Sequence, residues 1–130
     1  MNNTTNWFIG ILVLALIIWV IIAQRGSNKY DDFAKCIANP EKGVTFFGAF
    51  WCPHCQTQKK RFGSSERHLP YVECSTQDGR SQLQVCKDAG ITTYPTWEFA
   101  TSSIATSTYR IVGEIELTDL AERTLCQLPQ

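Results

Sequence analysis

Residues 44–55 read VTFFGAFWCPHC, and this stretch decides the fold. Its first part, Val44–Phe50, is a continuous apolar run rich in β-branched and aromatic side chains. Such a run predicts a strand buried on both faces, typical of a parallel central strand. Pro53 suits the first turn of a helix, which we expect to end at Gly63. The two cysteines of the stretch therefore lie where a buried strand gives way to a helix.

The pair Cys52 and Cys55 is the candidate reactive group. A C-x-x-C pattern alone also occurs in zinc sites, in iron–sulfur sites and by chance, so its position in the fold matters. At a helix N-terminus, unpaired backbone N–H groups and the helix dipole stabilise a thiolate on Cys52. The thiolate is the nucleophile of disulfide exchange. We therefore expect Cys52 to be the attacking sulfur and Cys55, one turn later, to be the resolving sulfur.

Pro53 and His54 separate the two cysteines. An imidazole N–H, or a charged His54, would further stabilise the Cys52 thiolate. That favours the reduced form and makes the pair a stronger oxidant. The alternative is that His54 is simply an exposed helix residue.

The remaining segments predict alternating helices and strands. One face of a first helix carries apolar residues at helical spacing: Tyr30, Phe33, Ala34 and Ile37. Strands are predicted at 69–74, 96–100 and 109–115, with a helix over 81–89 and a hairpin through 101–108. Thr118 is the expected cap of a final helix. The apolar face of that helix would carry Leu117, Leu120, Ala121, Leu125 and Leu128. The order α-β-α-β-α-β-β-α indicates an α/β domain.

The FWCPHC motif and the later Tyr94-Pro95-Thr96 together resemble the thioredoxin-like superfamily, a central sheet flanked by helices. The resemblance implies that Pro95 is the superfamily's cis-proline opposite the dithiol. It also implies that Tyr94 and Pro95, flanked by Trp51, line the substrate groove. The C-P-H-C core matches oxidants of the DsbA type.

Two positions depart from the thioredoxin pattern. Phe46 stands where thioredoxins carry a buried Asp that helps proton transfer, and Lys60 stands where they carry a helix-kinking proline. These departures argue against a reducing role linked to thioredoxin reductase.

Longer segments resemble the thioredoxin-like domain associated with bacterial vitamin K epoxide reductase homologues. The matching segments are FAKC, FFGAFWCPHCQTQK, YVEC and CKDAGITTYPTWEF. In that family a membrane reductase passes electrons to quinone, and the thioredoxin-like domain oxidises substrate thiols outside the cytoplasm. The resemblance implies a quinone-linked membrane partner on a separate chain, and substrate proteins with cysteine thiols.

The same resemblance implies a structural Cys74–Cys86 disulfide, with a second redox pair that relays electrons as the alternative. Cys36 and Cys126 lie on the first and last predicted helices, which in this fold tend to cover opposite sheet faces and would hinder a bond. Free thiols and a pair both stay open for these two. A zinc site lacks support, because no two closely spaced ligand pairs occur, and we expect neither metal nor cofactor.

Before this domain, residues 7–23 read WFIGILVLALIIWVIIA, without charge or proline. About 17 apolar residues reach the short end of a bilayer-spanning helix. A cleaved signal peptide is the rival reading, but residues 1–6 hold no Lys or Arg and no small-x-small cleavage site follows. We expect a tail and transmembrane anchor at 1–23, a short tether at 24–29 and a thioredoxin-like domain at 30–130.

Charge and cysteine content bear on location. Twelve basic and twelve acidic residues give no net charge, so nothing indicates nucleic-acid binding. Arg25 and Lys29 follow the anchor, which by the positive-inside rule would put the domain in the cytoplasm. Six cysteines in 130 residues favour an oxidising compartment instead. We give the cysteines more weight and expect a single-pass protein with an extracytoplasmic domain.

The sequence thus predicts a membrane-anchored enzyme that oxidises protein thiols through Cys52 and Cys55. A disulfide reductase or isomerase using the same chemistry is the first alternative. A metal-binding assembly factor is the second, although such proteins generally need a further histidine near the cis-proline, and none lies beside Tyr94.

Overall fold

The computed structural model describes residues 3–23, 28–101 and 107–130. The helices are α1 (Asn3–Ala23), α2 (Asp31–Ile37), α3 (Pro53–Arg61), α4 (Gln84–Asp88) and α5 (Leu117–Thr124). Two 3₁₀ helices lie at Pro40–Lys42 and Gly63–His68. The strands are β1 (Val44–Gly48), β2 (Tyr71–Glu73), β3 (Thr96–Ala100) and β4 (Thr108–Val112). This is the α/β thioredoxin-like architecture that the sequence predicts.

The four strands form one mixed sheet in the order β2-β1-β3-β4. β1 is interior to the sheet and pairs in parallel with β2, but it pairs antiparallel with β3. β3 and β4 form the expected antiparallel hairpin, and residues 102–106 of its turn lie outside the described residues. The predicted buried strand is therefore confirmed, whereas only one of its two neighbours is parallel.

The core divides into two layers because successive side chains of β1 point to opposite faces of the sheet. Phe46 stacks on Trp97 with ring centroids 4.4 Å apart, and both are fully buried on one face. Phe47 packs on the other face against Ile91 and a buried cystine. Because both faces of β1 are covered, its carboxyl end is held rigidly where the C-x-x-C turn begins.

The last helix differs from the sequence expectation. Glu116 is its N-cap residue and Leu117 its first residue, so Thr118 lies inside the helix and caps nothing. Leu125 was expected on the apolar face, but it ends the helix in a left-handed conformation and is 85% exposed. The chain turns away at that point, so the helical spacing no longer applies to the leucine.

The expectation that Cys36 and Cys126 face opposite sides of the sheet is wrong. They form a disulfide with an S–S distance of 2.04 Å and Cα atoms 5.8 Å apart. Cys126 follows α5 rather than lying on it, and both residues adjoin the layer that contains Phe46. The bond therefore joins α2 to the C-terminal segment on the same side of the sheet.

The predicted anchor at 7–23 falls within α1, and the side chains from Trp7 to Trp19 are exposed. Across residues 3–23, 28–101 and 107–130, no helix combines the length and the apolar character needed to cross a membrane. Of the predicted tether, residues 24–27 lie outside the described part of the chain.

Candidate active site

Cys52 is the N-cap residue of α3, and Pro53 occupies the first turn as expected. A turn leads from β1 into the helix. In this turn the Cys52 N–H donates to the Ala49 carbonyl at 3.0 Å. The backbone N–H of Cys55 points at Cys52 Sγ, 3.4 Å away. An amide aimed at the sulfur from the first helical turn stabilises a thiolate there.

Cys52 and Cys55 are the two free cysteines, since the other four are paired. Both are buried, but Cys52 is 5% exposed and Cys55 only 1%, so Cys52 is the less enclosed of the two residues. Burial, with a hydrogen bond to Cys52, raises the pKa of Cys55 to about 12. Cys55 therefore carries its proton at neutral pH, and it must lose that proton before it can attack.

Of the predicted groove residues Tyr94 and Pro95, Tyr94 packs beside the dithiol, although it is some forty positions away in sequence. The Tyr94–Pro95 peptide bond is cis, and Pro95 is fully buried. Tyr94 packs against the cluster that contains both reactive cysteines. Its hydroxyl accepts a hydrogen bond from Gln82 Nε2 at 2.8 Å.

Trp51 is half-exposed beside Cys52 rather than part of the core. Its indole N–H donates to Ser75 Oγ at 2.8 Å, and its ring meets Tyr94 edge-on with centroids 6.0 Å apart. A cleft of about 150 Å³ opens next to it. The cleft is lined by Trp51, Cys74, Ser75, Gly79, Arg80, Ser81, Gln82 and Tyr94.

Cys74 and Cys86 form a disulfide with an S–S distance of 1.97 Å, the pairing that the resemblance implies. Both residues are fully buried, and the bond joins the end of β2 to α4. It supports the wall of the cleft, while its own sulfurs are closed to solvent.

His54 lies on the exposed side of the helix start, and its partner was not foreseen from the sequence. Its Nδ1 is 2.8 Å from Glu114 Oε1, in the segment between β4 and α5. Arg61 donates to the other oxygen of the same carboxylate at 3.2 Å and also to Glu116. The hydrogen bond with His54, and then that with Arg61, lowers the pKa of Glu114. The imidazole at the dithiol therefore faces a fixed negative charge.

A second unforeseen group, Glu73, ties β2 to the active-site turn. Glu73 Oε1 accepts backbone N–H groups from Phe50, at 3.2 Å, and from Ser75, at 2.9 Å. Its other oxygen accepts the Tyr71 hydroxyl at 2.8 Å. One signal was available in the sequence, since a carboxylate in the apolar strand YVEC needs partners when the strand is packed.

Phe46 occupies the place of the thioredoxin Asp and stacks in the core, so no carboxylate approaches Cys55 from β1. Lys60, at the place of the kinking proline, is exposed on α3. Within the part of the chain that the structure describes, no group of three or more His, Cys, Asp or Glu side chains is arranged to hold a metal ion.

Comparison with known proteins agrees with the fold. The sequence profile of the family Thioredoxin matches residues 26–124. The chain is 40% identical over 92 residues to the thiol-disulfide oxidoreductase LTO1 of Arabidopsis thaliana. That match covers 68% of this chain and 23% of LTO1, so the chain spans about a quarter of that relative's length.

Among solved structures, the chain is similar to MTB DsbF in its mixed oxidised and reduced forms. The TM-score is 0.44 at 18% identity, over 63% of this chain and 77% of DsbF. The family profile, in contrast, spans both the CPHC turn and the cis-proline loop. On that basis the chain belongs to the thioredoxin family.

Proposed function

We propose that this enzyme oxidises cysteine thiols of substrate proteins outside the cytoplasm. The observation that carries the proposal is the helix-start amide aimed at Cys52 Sγ, because a stabilised thiolate favours the reduced form and makes the disulfide a stronger oxidant. The two further disulfides are also consistent with an oxidising compartment.

In the oxidising direction, a substrate thiolate attacks the Cys52 sulfur of the Cys52–Cys55 disulfide. A mixed disulfide with Cys52 forms, and Cys55 leaves as a thiolate and takes up a proton. A second substrate thiolate then attacks the substrate sulfur of the mixed disulfide, which yields the oxidised substrate and the reduced dithiol. In the reverse direction the Cys52 thiolate attacks a substrate disulfide, and Cys55 resolves the mixed disulfide.

The neighbouring residues receive roles that follow from their positions. Pro53 starts the helix that stabilises Cys52, and His54 adjusts the thiolate through its own charge state. Trp51, Tyr94 and Pro95 line the groove that receives the substrate chain. The Cys74–Cys86 bond has a structural role, which its complete burial supports.

The reduced dithiol needs an electron acceptor. We assign that role to a quinone-linked membrane reductase of the vitamin K epoxide reductase type, because FAKC, the CPHC segment and CKDAGITTYPTWEF resemble domains that work with such reductases. Attachment to a membrane through the apolar, exposed side chains of α1 would keep the dithiol within reach of it.

Two measurements test the direction of electron flow and the dithiol. The reduction potential of Cys52/Cys55, titrated in glutathione buffers, should lie near that of DsbA at about −120 mV. A value near thioredoxin's, about −270 mV, would select the reductase alternative. Cys52→Ser should abolish oxidation of a reduced model peptide. The matched variant Cys55→Ser keeps the Cys52 thiolate, and it should accumulate a mixed disulfide on Cys52 when it is mixed with the oxidised, disulfide form of the peptide.

Membrane attachment is tested by flotation of the full chain with vesicles, compared with a chain lacking residues 1–23. Extraction of the membranes with alkaline carbonate then separates an integral protein from a peripheral one. Recovery of the full chain with the soluble fraction, as for the truncated chain, would contradict attachment through α1.

A further inference from the structure

Cys55 must lose or gain a proton during disulfide exchange. It lacks the buried carboxylate that thioredoxins use for this proton transfer. The sulfur is buried and protonated at neutral pH, and Phe46 fills the place of the buried Asp. Direct exchange with solvent is hindered at a group that is 1% exposed. A proton partner must therefore come from another element packed against the sulfur.

The neighbouring strand β2 supplies a hydroxyl, that of Tyr71, close to this sulfur. A Cβ placed on Gly48 would lie 3.0 Å from Cys55 Sγ and 3.4 Å from the Tyr71 hydroxyl oxygen, so both groups border the same small space beside β1. The absence of a side chain at Gly48 keeps that space open. The Tyr71 hydroxyl in turn donates to Glu73 Oε2 at 2.8 Å.

We propose that Tyr71 and Glu73 form a proton relay for Cys55. This inference rests on the proposed thiol–disulfide exchange and names the residues that support its proton transfer. Tyr71 would act at the reacting sulfur, whereas Glu73 acts through Tyr71 and is a positioning residue and proton store.

The step balances as follows. When Cys55 resolves a mixed disulfide, its S–H proton passes to the Tyr71 oxygen while the Tyr71 proton passes to a Glu73 carboxylate oxygen. The Cys55–Cys52 sulfur bond forms, the bond from Cys52 to the bound sulfur breaks, and that group leaves as a thiolate. In the oxidising direction Cys55 is the leaving group and the proton returns along the same path.

The charges around the sulfur agree with a relay that passes a proton without storing it on tyrosine. Burial, and then the hydrogen bond to Glu73, raises the pKa of Tyr71, so the phenol stays neutral. The Lys59 ammonium lies 3.4 Å from the centre of the Tyr71 ring and favours negative charge nearby. Cys52 at the helix start and Tyr94 on the cis-proline loop are the other titratable groups packed there.

The test separates the two exchange steps with an aromatic disulfide reagent, dithiobisnitrobenzoate, in stopped flow. The reduced full-length protein releases one thionitrobenzoate when Cys52 attacks, and a second when Cys55 resolves the mixed disulfide. Tyr71→Phe keeps the ring under Lys59 and removes only the hydroxyl. We expect it to leave the first phase unchanged and to slow the second about 100-fold near neutral pH. The deficit should shrink as pH rises toward the Cys55 pKa.

Glu73→Gln should slow the second phase in the same direction, with thermal melting of both variants as a check on folding. Tyr109→Phe makes the same chemical change on β4 and should leave both phases unchanged. An unaltered second phase in Tyr71→Phe would refute the relay, and so would equal slowing of both phases. Loss of the first phase in the wild-type protein would instead contradict the proposed function itself.

Discussion

The Cys36–Cys126 disulfide should contribute more to stability than the Cys74–Cys86 disulfide. A cross-link stabilises mainly by removing conformational freedom from the unfolded chain, and the effect grows with the logarithm of the loop length. The first bond closes a separation of 90 residues and the second a separation of 12. The chain-entropy model then gives about 4.6 kcal/mol for the long loop and about 2.8 kcal/mol for the short one.

The experiment is equilibrium unfolding in urea of the full chain in mild detergent. Cys36→Ala with Cys126→Ala should lower the free energy of unfolding by about 1.8 kcal/mol more than Cys74→Ala with Cys86→Ala. Both double variants replace two sulfurs by hydrogen, so loss of packing is similar in kind. A greater loss from the short-loop variant would show that burial of the Cys74–Cys86 bond, not loop length, decides its contribution.

Three further predictions concern the core and the site. Phe46→Ala should lower the free energy of unfolding by about 3–5 kcal/mol in a urea titration, because it empties a fully buried stack. Glu114→Gln should be less stable than the wild type above pH 4.5, which is the ordinary pKa of a glutamate. The difference in stability should vanish as the pH falls through the lowered pKa of Glu114 in the folded protein, because the wild-type carboxyl then also becomes neutral. Parallel melting curves across that range would contradict the pairing with His54. Cys52 should react faster than Cys55 with iodoacetamide, because Cys55 is buried and protonated. Mass spectrometry of the labelled peptides measures the two rates, and equal labelling would argue against separate roles for the two cysteines.

The active-site turn also depends on the unforeseen Glu73. Its carboxylate holds the backbone of Phe50, which precedes Trp51 in the chain, and of Ser75, which lines the cleft. The residue that we assign to the proton relay therefore also positions the walls of the groove. The first release of thionitrobenzoate involves Cys52 and not Cys55. Its rate in Glu73→Gln therefore reports whether the substitution has disturbed the active-site turn rather than the relay.

Local patterns were sufficient for the central elements. The apolar run before Trp51, the proline after Cys52 and the glycine at position 63 predict a buried strand followed by a helix, and the structure contains both. The reason is that a helix start is built from neighbouring residues, whose amides lie at the sulfur whatever the rest of the chain does. The cis peptide before Pro95 came from the family resemblance rather than from local chemistry.

Tertiary structure alone decided the pairs that are distant in sequence. Cys36 meets Cys126 across 90 positions, and His54 meets Glu114 across 60. The spacing of apolar residues in the sequence does not predict such contacts, because they depend on where the chain returns after crossing the sheet. The sequence by itself therefore determined the candidate sulfur and the helix that begins at it, whereas the packing of separate strands and helices decided which charges, hydroxyls and cystines surround it.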